Sequence, residues 1–379
     1  MAGKRTIDDI ARLAGVSKTT VSRVLNRKPD VDPETRERIL RIVEEEGFIP
    51  RVTASALATR RHSMIGVIIP SFTWPFIPEI IKGVAEVLGN TPHDIVLYSL
   101  NDSTRDTGEG DLIDHILDTR LTAGILAILP GQFVKHALRL HQHGIPMVMI
   151  DDQEIFPTIP WIGIDNKGGA LTAMRHLIQL GHQRIAHLQG PMRYLCSRER
   201  YEGYRQAMEE AGLPICPELV LEGDFTQTGG RLLANRLFSL PPEQRPTAIF
   251  AGNDSMAYGV MAAAEEYNLH MPEDVALVGF DDLTLSAHVR PALTTVRQPF
   301  LEMGRRGIEL LLSLLGSEGF SSYTIPATYF NNALGAPAGV NERIISTDPL
   351  RIQLVTSFVV RASCGSSQDL SLDNLRSRL

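Results

Sequence analysis

Apolar residues at the start of the chain recur at helical period. Ile7, Ile10, Ala11 and Ala14 form one stripe, and Val16, Val21, Val24 and Leu25 form a second. The spacing predicts two short helices joined by a tight turn at Gly15. Thr6 and Asp9 make a capping pair for the first helix, with acid where the helix dipole favours it. Ser17 is placed to cap the second. Asp32-Pro33 opens a third helix that runs through Val43 and stops at Gly47, with proline suited to the first helical position. Three helices before Pro50 make a small bundle, the size of a DNA-reading module.

The pattern then changes. Met64–Pro70 is a continuous apolar run of the kind found in strands buried on both faces, and similar runs recur at 94–100, 123–129, 146–150, 184–189, 248–251 and 275–280. Helical patterns lie between them at about 77–89, 106–118, 167–180, 196–212, 228–238 and 254–267. Strands alternating with helices imply parallel sheets wrapped by helices, in an α/β body too long for one sheet. Two doubly wound lobes with a cleft between them are therefore expected. The spacing suggests five strands before Asp152 and a fresh set from Trp161, with a boundary near 155–162. Residues 293–299 and a helix at 300–315 read as a return to the first lobe. Leu354–Arg361 reads as one last strand.

Chemistry sharpens this picture at the head. The second helix carries Lys18, Thr19, Thr20, Ser22, Arg23 and Asn26 on its polar side, a set able to bond base edges in a DNA major groove. Residues 1–62 hold 13 Lys and Arg against 9 Asp and Glu, so the head is +4 and the remainder of the −7 chain is −11. A mildly basic head on an acidic body fits local phosphate attraction. Because the surplus is small, two heads must bind at once, and a homodimer is expected.

The run Thr6-Ile-x-Asp-x-Ala-x-x-Ala-Gly-Val-Ser-x-x-Thr-Val-Ser-Arg-Val-Leu-Asn26 resembles the bacterial transcription regulators of the lactose-repressor (LacI/GalR) type. The likeness extends to about residue 365. It implies a helix-turn-helix head (1–50), a hinge helix (51–62), and two lobes of periplasmic-binding-protein type. The lobes are expected at 63–160 with 293–322, and at 161–292 with 350–365. In such a head, Lys18, Thr19 and Arg23 read bases. Thr6, Ser17, Thr20, Ser22 and Asn26 grip phosphates. The resemblance also gives the Ala-rich stretch 51–62 a role: Ala54 and Leu57 belong to a hinge helix that folds on the operator, with Leu57 wedged into the minor groove. Read from composition alone, this stretch is a linker too short to hold a helix by itself.

Ligands of open α/β sheets sit beyond the carboxyl ends of strands. Those ends carry Ser71, Phe72, Trp74 and Phe76, then Asp151 and Asp152, with Trp161 near the crossover. Further on come Arg198 and Arg200, Asp224-Phe225, Asn253-Asp254 and Asp281-Asp282. Aromatic rings can stack on a pyranose face while acids and amides bond its hydroxyls. The resemblance implies effector contacts at Asp151, Arg200, Phe225, Asn253 and Asp281. The expected effector is a sugar, with a nucleoside or purine as the alternative. A further alternative is a lobe pair that has lost its ligand and serves as a dimerisation scaffold.

Catalysis is not expected. Asp151-Asp152 and Asp281-Asp282 could suggest a glycosidase, but neighbours on a strand point to opposite faces, so neither pair is a two-carboxylate site. No phosphate-loop, Gly-x-Gly-x-x-Gly or Gly-x-Ser-x-Gly motif occurs, so no cofactor is expected, and the histidines show no metal-ligand spacing. Three scattered cysteines, Cys196, Cys216 and Cys364, suit a reducing compartment. With no signal-peptide core at the N-terminus and no membrane-length apolar run, the expected location is the cytoplasm. Residues 323–350 depart from the family pattern as an inserted loop. The tail, 366–379, has Leu372, Leu375 and Leu379 at helical spacing, too short for a coiled coil, so a tetramer is the weaker alternative to a dimer.

Overall fold

The computed structural model describes residues 5–25, 28, 30–48, 64–100, 109–128, 134–150, 159–316 and 351–365. At the N-terminus three helices, α1 (Ile7–Ala14), α2 (Lys18–Leu25) and α3 (Pro33–Glu45), pack around Ile10, Val21, Val24 and Ile39. Their boundaries follow the capping chemistry. Thr6 and Asp9 form a reciprocal capping box on α1. Gly15 closes it at φ 64°, a left-handed conformation that favours glycine. The Ser17 hydroxyl accepts from the Thr20 N–H at 3.1 Å, and the Asp32 carboxylate accepts from the Thr35 N–H at 3.0 Å.

Two six-stranded sheets follow. The first has the order β11-β5-β4-β3-β1-β2, where β1 is Met64–Ile69, β2 Asp94–Ser99, β3 Thr122–Ile128, β4 Met147–Ile150, β5 Trp161–Ile164 and β11 Arg351–Leu354. The second has the order β12-β10-β9-β8-β6-β7, with β6 Ile185–Gln189, β7 Val220–Glu222, β8 Ala248–Ala251, β9 Ala276–Asp281, β10 Thr294–Arg297 and β12 Ser357–Val359. All pairings are parallel except β10 with β12. The continuous apolar runs are thereby explained: the central strands are covered on both faces.

Helices α4 (Ile77–Leu88), α5 (Glu109–Thr119) and α6 (Val134–Gln142) belong to the first lobe. Helices α7 (Asn166–Gln179), α8 (Leu195–Glu210), α9 (Gln227–Phe238) and α10 (Asp254–Glu266) belong to the second. The last described helix, α11 (Phe300–Leu314), returns to the first lobe and packs on α4. There the backbones nearly touch. A Cβ on Gly83 would meet the Leu301 carbonyl at 2.0 Å, and one on Gly304 would meet the Ile80 carbonyl at 2.1 Å.

The chain crosses between lobes at three places: after Ile164, between Arg297 and Phe300, and between Leu354 and Ser357. This corrects the expected boundaries. Four described strands precede Asp152, and the fifth of that sheet is Trp161–Ile164, which pairs with β4 and β11 and not with a second set. Thr294–Arg297 lies in the second sheet beside β9, so the return to the first lobe begins only at α11. The single strand expected at 354–361 is two short strands, β11 in the first lobe and β12 in the second. Strand period reports burial, and neighbours in sequence need not share a sheet. The inserted loop and the tail lie outside the described residues.

Candidate functional site

Between the lobes lies a cavity of about 570 Å³. Its first-lobe wall is the turn from β1 to α4, which presents Thr73, Trp74, Pro75 and Phe76. Trp74 meets Phe76 edge-on at 5.5 Å, and Phe76 stacks on Phe300 at 5.0 Å with an interplanar angle of 8°. Phe300 opens α11, so this aromatic wall is anchored on the second crossover.

The second-lobe wall is built from the starts of α8, α9 and α10 and the end of β9, the carboxyl edge of its sheet. Arg200 is buried there. Its Nε donates to Asn166 Oδ1 at 3.0 Å and its Nη1 to the Gly252 carbonyl at 2.7 Å, while its guanidinium lies 3.7 Å from the Phe280 ring centroid. Asp281 stands 4.0 Å from Arg200 and accepts from the Gln298 amide at 2.6 Å. The Asp281 backbone has φ 123°, a conformation L-residues rarely adopt, which turns the chain at the strand end. Gln298 Oε1 is buried and without a hydrogen-bond partner among the described residues. Asn253 caps α10 through the Met256 N–H at 2.9 Å, and its amide donates to the Phe225 carbonyl at 3.2 Å.

Behind this wall the buried Asp254 carboxylate ties the elements together. It accepts from the Leu283 N–H at 2.9 Å, from Ser286 Oγ at 2.6 Å and from Thr295 Oγ1 at 2.6 Å. Burial pushes its pKa up to about 6, against the pull of those bonds. Ser286 in turn holds the hydroxyl of Tyr258, which lines the cavity and whose own pKa burial raises. His187 sits deeper, stacked on Phe250 at 4.8 Å and on Tyr204 at 5.1 Å. Full burial, aided by the Arg200 charge, depresses its pKa to about 4, so the ring is neutral.

Of the residues expected at the cleft, Trp74, Phe76, Arg200, Phe225, Asn253 and Asp281 line it. Asp151 and Asp152 lie outside the described residues. Four expected residues do not line it. Ser71 bonds Thr73 Oγ1 at 2.8 Å within its own turn, and Phe72 points to solvent. Trp161 packs on the outer core of the first sheet, where its ring covers Gly163. Arg198 turns back to the Met192 and Arg193 carbonyls at 3.1 and 3.2 Å. Sequence reasoning missed Arg193, Tyr194, Tyr258 and Gln298 as cavity residues, and Cys196 also lines the cavity. A helix period through α8 could have found Cys196, which is four residues before Arg200.

In the head, Lys18, Thr19 and Arg23 are exposed on α2. Ser17 and Thr20 share a hydroxyl–hydroxyl contact at 2.9 Å, and the Thr6 hydroxyl meets Asp9 Oδ2 at 2.8 Å. Two of the cations carry acidic partners: Lys18 is 3.0 Å from Asp8, and Arg23 is 2.9 Å from Asp30. Both are solvent-exposed pairs, worth only about 0–1 kcal/mol, and are cheap to exchange for phosphate or base contacts. Ser22 is half-buried, whereas Asn26, Ala54 and Leu57 lie outside the described residues.

Comparison with known proteins agrees with this geometry. The family model for bacterial regulatory proteins of the lacI family matches residues 6–51, and that for a periplasmic binding protein-like domain matches residues 174–328. Catabolite control protein A of Priestia megaterium is 34% identical over 318 residues, covering 84% of this chain and 94% of that protein. The chain belongs to the LacI family of bacterial regulatory proteins. The transcriptional repressor PurR of Haemophilus influenzae is 35% identical over 327 residues, covering 84% of this chain and 94% of that protein. Among solved structures, the transcriptional regulator CelR in complex with cellobiose matches at TM-score 0.66 and 30% identity, covering 95% of this chain and 99% of that one. The lac repressor dimer bound to operator and the anti-inducer ONPF matches at TM-score 0.72 and 25% identity, covering 95% of this chain and 98% of that one.

As a member of the LacI family, the protein is a DNA-binding, effector-responsive transcriptional repressor with a helix-turn-helix head and a periplasmic-binding-protein-like body. Its relatives are regulators of transcription. No described helix is long and apolar enough to cross a membrane.

Proposed function

We propose that this repressor binds a near-palindromic operator as a homodimer and is switched by a sugar held between its two lobes. The observation that carries the effector reading is the cavity itself. One wall presents aromatic faces (Trp74, Phe76) and the other a buried set of hydroxyl-bonding groups (Arg200, Asn253, Asp281, Gln298). Aromatic faces opposite planar polar groups suit a pyranose, which has an apolar face and a polar edge. The solved relative that holds cellobiose supports the same class. For the DNA contact, Lys18, Thr19 and Arg23 would read bases, while Thr6, Ser17, Thr20, Ser22 and Asn26 grip phosphates and Ala54 and Leu57 act in the minor groove.

The sensor performs no turnover in this reading. Asp282, the neighbour of Asp281, is held by Arg297 at 2.6 Å and Arg361 at 2.7 Å, so it does not join Asp281 as a second carboxylate. The dimer is supported by the small charge surplus of the head and by the solved lac repressor, which is a dimer on its operator. The cytoplasm is the compartment where such a regulator meets its operator.

A thermal-shift screen over monosaccharides, disaccharides and nucleosides tests the effector class. A sugar should raise the melting midpoint, and Phe225→Ala should weaken that sugar about tenfold through lost ring contact. A response to nucleosides alone would move the assignment to a purine-type sensor.

A further inference from the structure

We propose that the effector carries an acidic group, a carboxylate or a phosphate, received by Arg193 at the rim of the cleft. The inference rests on the reading of that cleft as a sugar site. Four charged side chains line the cavity among the described residues: Arg193, Arg200, Asp224 and Asp281. Three are already committed. Arg200 and Asp281 face each other inside the wall, 5% and 6% exposed, with Arg200 further tied to Asn166 and Gly252. Asp224 Oδ1 accepts from the Thr226 N–H at 2.9 Å and its hydroxyl at 2.7 Å, and sits before the N-terminus of α9, where the helix dipole favours an anion.

Arg193 differs. Among the described residues no carboxylate lies within the 4.0 Å of an ion pair. Its guanidinium rests 4.7 Å from the centre of the Tyr194 ring, and Nη2 donates to the Tyr194 hydroxyl at 3.2 Å. A guanidinium has a planar fork of donors, and the Tyr194 bond uses one of them, so the fork can still take an oxyanion in two-point fashion.

The segment that carries Arg193 is held in place. The Met192 N–H donates to Glu222 Oε1 at 2.9 Å, and the Tyr194 N–H donates to the Pro191 carbonyl at 3.0 Å. Arg198 clamps the Met192 and Arg193 carbonyls, the role it has in place of lining the cleft. Helix α8 starts directly after Tyr194, which offers no side-chain cap, so the positive end of its dipole adds to the same rim. The inner wall therefore suits neutral hydroxyls, and its rim suits a negative charge. A neutral sugar would leave that guanidinium to solvent, with no carboxylate among the described residues to meet it.

The test is titration of the full chain with D-glucuronate, D-galacturonate and glucose 6-phosphate against glucose and galactose, followed by calorimetry at two salt concentrations. The uronates separate carboxylate from phosphate as the group received. Arg193 is exposed, so screening limits its effect, and an acidic sugar should bind about tenfold more tightly than its neutral parent. That advantage should shrink with salt and disappear in Arg193→Gln, so that acidic and neutral sugars bind the variant alike. A neutral sugar that binds as tightly as its acidic counterpart, or an acidic advantage that survives Arg193→Gln, overturns the inference and leaves the sugar site standing. Binding of nucleosides and of none of these sugars overturns both.

Discussion

Arg200 and Asp281 are both buried and stand 4.0 Å apart, a separation too long for a strong hydrogen-bonded ion pair. Such a pair contributes little net stability, because desolvation offsets the attraction, yet removing one partner strands a buried charge at a cost of about 3–5 kcal/mol. Their presence is better explained by the cavity they face than by folding. His187, behind them, is a clearer stability element. Its folded pKa of about 4 lies below the ordinary 6.5, so the native state prefers the neutral ring and the unfolded chain takes up the proton first. Its contribution is therefore complete above pH 6.5 and is lost as pH falls from there towards 4, by about 3 kcal/mol in total. Urea midpoints measured across that range should fall for the wild type, and His187→Phe, which keeps the ring stack, should fall less. Equal slopes in both proteins would show that another group titrates. In the head, Arg23→Ala should cost about 1–3 kcal/mol of discrimination at one base pair per half-site, measured by anisotropy on operator variants. A loss equal on all sequences would reduce Arg23 to a phosphate contact.

At the scale of elements, the sequence made local structure legible and left its assembly only partly so. Thr6–Asp9, Gly15, Ser17 and Asp32-Pro33 fix helix ends through capping and backbone chemistry that acts within four residues, and the structure has each of them. Helix and strand periods located nearly every element of the body. What they could not report was sheet membership. Trp161–Ile164 and Thr294–Arg297 each lie in the lobe opposite to the one their spacing suggests, because the chain changes lobe just after them through short connections. The cleft followed the same logic. Strand-end residues such as Asp281 and Asn253 were legible, whereas Gln298 lines the site only because the second crossover passes through it. Arg198 and Arg200, two positions apart on α8, face different partners, which periodicity implies but composition hides. The hinge segment carries its own prediction from sequence: Leu57→Ala should weaken operator binding through loss of the minor-groove wedge and leave effector binding intact. An unchanged operator dissociation constant would remove Leu57 from the contact.

For the whole molecule, three crossovers lie side by side where the two sheets meet, and the Asp165 N–H reaches the Leu354 carbonyl across two of them at 3.4 Å. Groups from both lobes and from the middle crossover line one cavity, so a ligand there contacts every part whose relative position can change. Asp254 binds the effector wall to Thr295 on the strand that feeds that crossover. In the proposed dimer the first lobe is the one that follows the head in the chain, so a change in lobe angle would change the spacing of the two heads. Binding of effector and of operator are then one linked equilibrium, and each must alter the affinity of the other by the same factor. The decisive measurement is that reciprocity. Operator affinity is titrated with and without a saturating effector from the screen, and effector affinity is titrated with and without saturating operator. Two equal ratios are expected, on the order of 5–150-fold. An operator affinity that does not change when the cleft is saturated would contradict that linkage.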